Sequence, residues 1–533
     1  MTNSDLAASE PPSEPGTGFW RLARPAGAQR TWLLAPDGRA TFLLGINTVM
    51  RDSRLRGIPR CAAIGQYIRR HDPSTAAHVE WARLSDGQSG GHRVPSPYRF
   101  NSVGAFSERN DFDDTGGDSY MIRAPEQGGA GAPYTVVLNV SPRAGDRALK
   151  DEQGNILTGG LAGRRMGDPF NPAFLADLDA LAAGEVSARR ADPRLQMWFA
   201  GNETGIFDVA EPGGGVRDFR RWIWSDVPPG SDIDRPSCAR HALAAFLRER
   251  YDGSIASLNA AWHSAYPSFA AIVDAGPRPV PYVHDCNARC GDDLQRFVHD
   301  RLLREWVRAV TTRIRGADPN HLVASPRLAI ANERQYRFWS GRALTDPDHW
   351  TEPPGEVIGN DGAQVRYSPF DLLARDGAGG FDLVAVNGYT GQPTFPRPWF
   401  TDGLHRLQRQ SGLPMIISEF GIRAQIDGWS NRGGAPAFVP RRDAVEDQLQ
   451  RGRRYSSQID QFIGFREIVG AAWHAWSDRF NPANPGLQIN LGLVQCDDPG
   501  RGMQAGGRWS PPDSLIADTN ASINRRIAAK TGM

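Results

Sequence analysis

Two glutamates follow short apolar runs at distant points of this chain. Glu203 ends the stretch LQMWFAGNE, and Glu419 ends the stretch PMIISE. Short apolar runs of this kind are typical of strands that are buried on both faces. A carboxyl group at the end of such a strand would lie in a partly dry funnel, where its protonated form persists towards neutral pH. Two such groups can act together as a proton donor and a nucleophile.

Polar and aromatic residues accompany these glutamates. Asn202, directly before Glu203, can donate a hydrogen bond to a hydroxyl beside a reacting carbon. Tyr389 can hydrogen-bond Glu419 and hold it ionised, and Trp473 offers a flat apolar face to a sugar ring. Further candidates for substrate contact end or follow other apolar runs: Asn47, Asn101, Arg327, His474 and Asp478.

Eight apolar runs of this type recur along the chain, mostly alternating with helical or loop segments. Helix signals between them include NPAFLADLDALAAGEVSARR from Asn171 and DDLQRFVHDRLLREWVRAVTTRIRG from Asp292. The eight predicted strands are TFLLGIN, YRFNSVGAFSE, YTVVLNV, LQMWFAGNE, NHLVASPR, FDLVAVNGY, LPMIISEFG and IVGAAWHAWSD.

This order predicts an α/β fold, a (β/α)₈ TIM barrel over residues 18–510 with a long insertion after strand four, at about 207–291. The carboxyl ends of barrel strands meet at one mouth, so the candidate residues are expected to converge there. An open doubly wound sheet is the alternative. That fold would require a Gly-rich phosphate loop after an early strand, and none of the eight runs is followed by one.

Composition excludes several classes of function. The 533 residues are 40% hydrophobic and 23% charged, with a formal net charge of +1, so no strong field favours nucleic acid or an anionic membrane. No run of about 18 apolar residues predicts a membrane span. Residues 1–17 are polar and Pro-rich without a signal-peptide pattern, which predicts a disordered tail and a cytoplasmic location. Residues 511–533 are expected to form a tail or a helix, and a homo-oligomer stays open.

The five cysteines do not form the pattern of a disulfide framework. One cluster places His284, Cys286 and Cys290 within seven residues, and Cys238 is a candidate fourth metal ligand. The spacing fits no common zinc pattern. Loop thiols, or one local disulfide, are the alternative account, and no metal or other cofactor is expected.

Several motifs resemble those of a known family. GNE at strand four and SEFG at strand seven are similar to the acid/base and nucleophile motifs of clan A retaining glycoside hydrolases. The stretches WLLAPDGRATFLLGIN, RFNSVGAFSE, FDLVAVNGY and PMIISEFGIRA resemble the beta-agarase branch and its beta-galactosidase relatives. The resemblance runs from about Phe19 to Asp498. It departs at strand eight, where His474 occupies a position that is aromatic in the agarase pattern.

The resemblance implies a function and roles for residues. Glu203 would be the acid/base, Glu419 the nucleophile, Asn202 and Tyr389 their hydrogen-bonding supports, and Trp473 the floor of a sugar subsite. The expected reaction is retaining hydrolysis of a beta-linked, galactose-containing, agar-type or related oligo- or polysaccharide. Three alternatives stay open: an exo-acting beta-glycosidase on glucose, mannose or fucose units, a non-catalytic carbohydrate-binding barrel, and a metal-dependent barrel hydrolase.

Overall fold

The computed structural model describes most of the predicted barrel. It covers residues 12–47, 100–105, 133–151, 153–159, 164–204, 223–224, 226–274, 287–330, 370–374, 379–388, 398–424, 448–474, 491 and 511–531. The structure also describes five short pairs of strands outside the barrel, of which the first four are antiparallel and the last is parallel: Arg54–Leu55 with Ile58–Pro59, Gln88–Ser89 with His92–Arg93, Thr158–Gly159 with Arg164–Arg165, Val357–Ile358 with Gln364–Val365, and Arg423–Ala424 with Ala444–Val445.

A three-stranded antiparallel sheet begins the described chain: β1 (Arg21–Ala23), β2 (Trp32–Leu34) and β3 (Ala40–Thr41). Trp20 and Leu33 pack into the same apolar cluster as the barrel interior, so this sheet covers the amino-terminal end of the barrel. Ser13 forms a bridge with Arg39. Part of the segment that was predicted to be a tail therefore pairs with the turn before β3, since Glu14 N–H donates to the Gly38 carbonyl and Gly18 N–H donates to the Pro36 carbonyl.

Eight parallel strands close into a barrel. Each of the eight predicted runs contributes one strand, and the doubly wound alternative is wrong because the sheet has no edge. The strands are β4 (Leu43–Ile46), β5 (Ser102–Val103), β6 (Tyr134–Val137), β7 (Leu195–Phe199), β8 (Leu322–Ile330), β9 (Leu383–Gly388), β10 (Met415–Phe420) and β11 (Ile468–Trp473). They are hydrogen-bonded around the barrel in the order β6-β7-β8-β9-β10-β11-β4-β5.

Side chains on the strands divide between two apolar clusters. Met197 and Phe199 point into the barrel, where they meet Ala385 and Ile416, whereas Trp198 points outward to the helices. This alternation is the normal period of a strand, and burial on both faces explains why the runs are almost wholly apolar. The barrel interior is thus a packed core up to the level at which the polar residues begin.

Helices surround the described part of the barrel. Asn171 caps α1 by accepting a hydrogen bond from the backbone N–H of Ala173 at 2.9 Å, which confirms the predicted polar start. The predicted helix from Asp292 begins at Ala288 and continues through a wider turn at Val298–Leu303. The helices are α1 (Pro172–Leu181), α2 (Ala239–Arg250), α3 (Ile255–Trp262), α4 (Ala271–Asp274), α5 (Ala288–Phe297), α6 (Arg304–Ala317), α7 (Pro398–Ser411), α8 (Gln448–Phe462), α9 (Pro511–Ala521) and α10 (Ile523–Thr531).

The C-terminal segment is helical and attached to the barrel wall. The Tyr455 hydroxyl of α8 donates to Asn520 Oδ1 of α9 at 2.7 Å. In the parts of the chain that the structure describes, no helix has the length and apolar character needed to cross a bilayer.

Candidate active site

A β-bulge in β10 turns Glu419 into the barrel mouth. Ala385 pairs with Ile416 and Asn387 pairs with Glu419, so β10 carries one residue more than β9 between these points. Strict alternation from the inward-facing Ile416 would point Glu419 outward. The extra residue, Ser418, reverses the alternation and places Glu419 on the inner side.

Arg327 is the principal partner of Glu419. Its Nη2 donates to Glu419 Oε1 at 2.7 Å and to the Ser418 carbonyl oxygen at 2.8 Å, and its Nη1 donates to Asn202 Oδ1 at 3.1 Å. The Arg327 side chain is fully buried. A buried guanidinium this close favours the ionised form of the carboxyl group, as a nucleophile requires. Arg327 was predicted to contact substrate, and the structure instead places it behind the carboxylate as its counter-ion.

Glu203 stands on a left-handed turn after β7. Its φ is 48° and that of Gly201 is +112°, and non-glycine residues rarely adopt a positive φ. Two backbone hydrogen bonds to β8 hold the turn: Arg327 N–H donates to the Gly201 carbonyl at 3.1 Å, and Glu203 N–H donates to the Arg327 carbonyl at 2.9 Å. Backbone strain of this kind is concentrated at functional sites.

Asn387 connects Glu203 to Asn202 and to Ser418, the residue before Glu419, through its side-chain amide. Its Nδ2 donates to Glu203 Oε1 and to Asn202 Oδ1, each at 3.1 Å, and its Oδ1 accepts from Ser418 Oγ at 2.9 Å. It lies on the inner face of β9 and is fully buried. Asn387 was not predicted as a site residue, although it is the polar residue that interrupts the apolar part of FDLVAVNGY.

Asn47 and His474, which were predicted to contact substrate from strands one and eight, also lie at the described part of the mouth. Asn47 Nδ2 donates to the Ser418 carbonyl at 2.9 Å, so the bulge is held from two sides. A Cβ at Gly104 would lie 1.9 Å from Asn47 Oδ1, which restricts position 104 to glycine. His474 Nδ1 lies 3.8 Å from Glu419 Oε1. Asn47 thus contacts backbone, and His474 faces the nucleophile candidate.

Two predicted substrate contacts lie elsewhere. Trp473 faces outward, against Phe420 and Tyr455, and none of its surface is exposed. Its Nε1 donates to the Leu491 carbonyl at 3.0 Å, so the predicted sugar platform is wrong for this ring. Asn101 bonds the backbone of β4 instead, because it precedes β5 and lies below the mouth. Tyr389 and Asp478 lie outside the described residues.

The predicted metal cluster can be compared with the structure only in part. Cys290 is disulfide-bonded, and Cys238 Sγ lies 3.8 Å from Ser231 Oγ in a buried position. Within the described ranges, no group of three or more His, Cys, Asp or Glu side chains could hold a metal ion. His284 and Cys286 are outside those ranges.

Loops after the third and fourth strands are joined beside the mouth. Lys150 and Trp224 exchange two backbone hydrogen bonds, of 2.7 and 3.0 Å. Asp168 Oδ2 accepts from the backbone N–H of Ala239 at 2.8 Å, at the start of α2. Both loops follow carboxyl ends of strands, so they lie on the mouth side of the barrel. The insertion after strand four is therefore fixed to the preceding loop.

Comparison with known proteins gives relatives with the same fold. The chain is 24% identical, over an alignment of 537 residues, to beta-agarase A of Vibrio sp. (strain JT0107), which covers 93% of this chain and 46% of that protein. The chain resembles beta-agarases. A putative mannan endo-1,4-beta-mannosidase 9 from Oryza sativa subsp. japonica is 19% identical over 202 residues, covering 36% of this chain and 42% of that protein. No family model matches the chain.

Solved structures support the same fold. An exo-beta-agarase structure has a TM-score of 0.61 at 16% identity and covers 98% of this chain and 66% of its own. The crystal structure of another agarase has a TM-score of 0.57 at 15% identity, covering 97% of this chain and 66% of its own. The chain thus spans less than half of the curated relatives it matches and about two thirds of these structures. At this identity the similarity establishes the TIM-barrel fold.

Proposed function

We propose that this protein is a retaining glycoside hydrolase that cleaves a beta-linked bond in galactose-containing, agar-type or related oligo- or polysaccharides. One observation carries the proposal: Glu203 and Glu419, 216 positions apart in a 533-residue chain, are bound into one hydrogen-bonded network at the barrel mouth through Asn387, Asn202 and Arg327. The similarity to beta-agarase A supports the choice of substrate class.

The two carboxyl groups have different surroundings, which suits them to different roles. Glu419 is buried against the Arg327 guanidinium, and an opposite charge at this distance favours the ionised form that a nucleophile needs. Glu203 receives a hydrogen bond from the neutral amide of Asn387 and is more exposed than Glu419, which suits it to exchange a proton with a leaving group or water. Environments that separate two carboxyl groups in this way mark an acid/base pair.

The proposed reaction proceeds by two displacements. Glu419 attacks the anomeric carbon while protonated Glu203 gives its proton to the leaving oxygen, and Glu203 then deprotonates the water that releases the sugar. Direct displacement requires the carboxyl groups to lie about 5 to 5.5 Å apart. Asn202 turns its Oδ1 towards Arg327 and Asn387, which leaves its Nδ2 as the donor for a sugar hydroxyl.

Two variants test the assignment of roles. Glu419→Ala should abolish turnover without unfolding the protein, and wild-type rates on an activated aryl glycoside would refute the nucleophile role. Glu203→Ala should lose less activity than Glu419→Ala on aryl glycosides with good leaving groups, because the departure of these groups needs little protonation. Added azide should restore part of the lost activity and give a glycosyl azide as the product. The absence of this product would contradict the acid/base role.

A screen of aryl beta-glycosides and of plant and marine oligosaccharides tests the substrate. Product anomers followed by NMR should show net retention, with galactosides preferred.

The joined loops beside the mouth favour a second candidate, an exo-acting enzyme on short chains of this or another sugar, because they would close one end of a cleft. Release of single terminal units would favour the exo candidate, and mid-chain cleavage would exclude it. Binding without any turnover would favour a carbohydrate-binding barrel instead.

A further inference from the structure

We infer that Asn387 is a positioning residue that sets the orientation of the acid/base carboxyl group of Glu203, an inference that rests on the proposed function. Asn387 is buried on the inner face of β9, between the turn that carries Glu203 and the strand that carries Glu419. A neutral amide neither transfers a proton nor attacks carbon under these conditions. Its effect on the reaction must therefore act through the groups that it binds.

The network allows only one orientation of the Asn387 amide. Arg327 has donors and no acceptor, so Asn202 must turn its oxygen towards Arg327. The group that meets Asn202 Oδ1 and Glu203 Oε1 from the other side must therefore be a donor, and it is Asn387 Nδ2. A flipped amide would set its oxygen against two acceptor oxygens. The Ser418 hydroxyl, free to rotate, then donates to Asn387 Oδ1.

This arrangement connects the acid/base carboxyl group to the strand of the nucleophile. Both hydrogens of Asn387 Nδ2 are used, one for Asn202 and one for Glu203, and its oxygen is fixed by Ser418. The amide therefore restricts the rotamer of Glu203 as well as that of Asn202. A hydrogen bond donated to the carboxyl group also favours its ionised form.

The pH dependence of activity offers a readout that a purely structural role would not move. Among the residues that the structure describes, the charged or titratable groups that face this part of the site are Arg327, Glu419 and His474, and all three remain in a variant at Asn387. Loss of the donor should keep Glu203 protonated to higher pH. The basic limb of the kcat/KM profile should accordingly move upward.

The experiment compares Asn387→Ala and Asn387→Asp with the wild type on an aryl beta-galactoside. We expect kcat/KM to fall about 10- to 100-fold, less than the roughly 100- to 10,000-fold that general acid/base catalysis contributes, because the variant misplaces the carboxyl group without removing it. The basic limb should rise by about one pH unit in Asn387→Ala, since water replaces the lost donor only partly. The rise should be larger in Asn387→Asp, because a second carboxylate then faces Glu203.

Ser102→Ala is the matched control. It removes a buried side-chain hydrogen bond of 2.5 Å to Gln196 inside the same barrel, and neither residue contacts the two carboxylates. It should lower thermal stability and leave the pH profile unchanged. Folded Asn387 variants with a wild-type basic limb, or a Ser102→Ala profile shifted as far as theirs, would overturn the inference.

Crystal structures separate failure of this inference from failure of the proposed function. If the wild type hydrolyses no glycoside, the proposed function is wrong, but the geometry can still be tested. In Asn387→Ala the Glu203 carboxyl and the Asn202 amide should adopt new rotamers or show multiple conformations. Both side chains unchanged from the wild type would refute a positioning role for Asn387, whatever the reaction.

Discussion

Replacing Arg327 by Met tests a buried ion pair of the site. Arg327 and Glu419 have side chains that are 0% and 6% exposed, with a 2.7 Å separation between nitrogen and oxygen. Removing one partner of such a pair leaves an uncompensated buried charge, at a cost of about 3–5 kcal/mol. We expect the free energy of unfolding at pH 7 to fall by about that amount. Activity should fall with it, because Glu419 would then favour its protonated form.

Arg313→Met provides a control at the same distance. Arg313 and Asp179 are also 2.7 Å apart, but their side chains are 25% and 63% exposed. An ion pair open to solvent is worth less than about 1 kcal/mol. The two variants therefore differ in burial rather than in the length of the contact.

Urea unfolding followed by tryptophan fluorescence measures both losses. The loss in Arg327→Met should shrink at acidic pH, where Glu419 takes up a proton and no longer needs a counter-charge. The double variant Arg327→Met/Glu419→Met should recover most of the stability, since it leaves no unpaired charge. If Arg327→Met cost no more than Arg313→Met, or if the double variant recovered nothing, the electrostatic account of the Arg327–Glu419 pair would be refuted.

Three further predictions concern the turn that carries Glu203, the buried His299, and the independence of activity from metal ions. Gly201→Ala should destabilise the protein by about 1–3 kcal/mol and reduce activity at least tenfold, because a Cβ at this positive φ would lie 2.5 Å from Thr204 Oγ1; a wild-type melting temperature and activity would contradict this. Burial lowers the pKa of His299, but hydrogen bonds to Asp371 and Asp300 outweigh it and raise the pKa above its usual value of 6.5. The charged imidazolium therefore stabilises the fold fully below pH 6.5, and this stabilisation is lost as the pH rises through the raised pKa. His299→Gln should accordingly lower the urea midpoint of unfolding more at pH 5 than at pH 9. Equal losses at the two pH values would contradict this prediction. Prolonged dialysis against EDTA should leave turnover of an aryl glycoside unchanged, and a loss restored by a divalent ion would support the metal-dependent alternative.

The barrel and its polar rim follow from local patterns in the sequence. Each strand is a short apolar run because it is buried on both faces, and each run closes on a polar residue because the mouth begins there. The positions of Asn47, Asn202 and Glu203 could therefore be inferred without a structure. Their partners could not be inferred in the same way.

The errors arise where a strand departs from strict alternation. The bulge at Ser418 turns Glu419 inward, and a similar irregularity in β8 between Ala324 and Arg327 turns Arg327 inward. No sequence pattern reveals a bulge of this kind. In β11 the sequence likewise does not show which residue faces inward, and Trp473 was predicted to face the mouth. The residue that faces the mouth is the next one, His474.

Asn387 was not predicted for a different reason. A buried amide inside an apolar run is a polar group that must be satisfied by hydrogen bonds, which is a signal in itself. Tyr389, two residues later, was chosen instead because it ends the apolar run and was expected to hydrogen-bond Glu419. The hydrogen bonds that connect Asn387 to Glu203 and Ser418 join three strands, and only the closed barrel brings them together.

Trapping the reaction intermediate tests the central claim most directly. A 2-deoxy-2-fluoro-galactosyl fluoride slows release of the sugar from the nucleophile, so the covalent adduct can be digested and its peptides sequenced by mass spectrometry. We predict a single fluorogalactosyl group on Glu419, formed by wild-type protein and absent in Glu419→Ala. A label on any other residue, or a wild type that turns over galactosides with inversion and forms no adduct, would contradict the account.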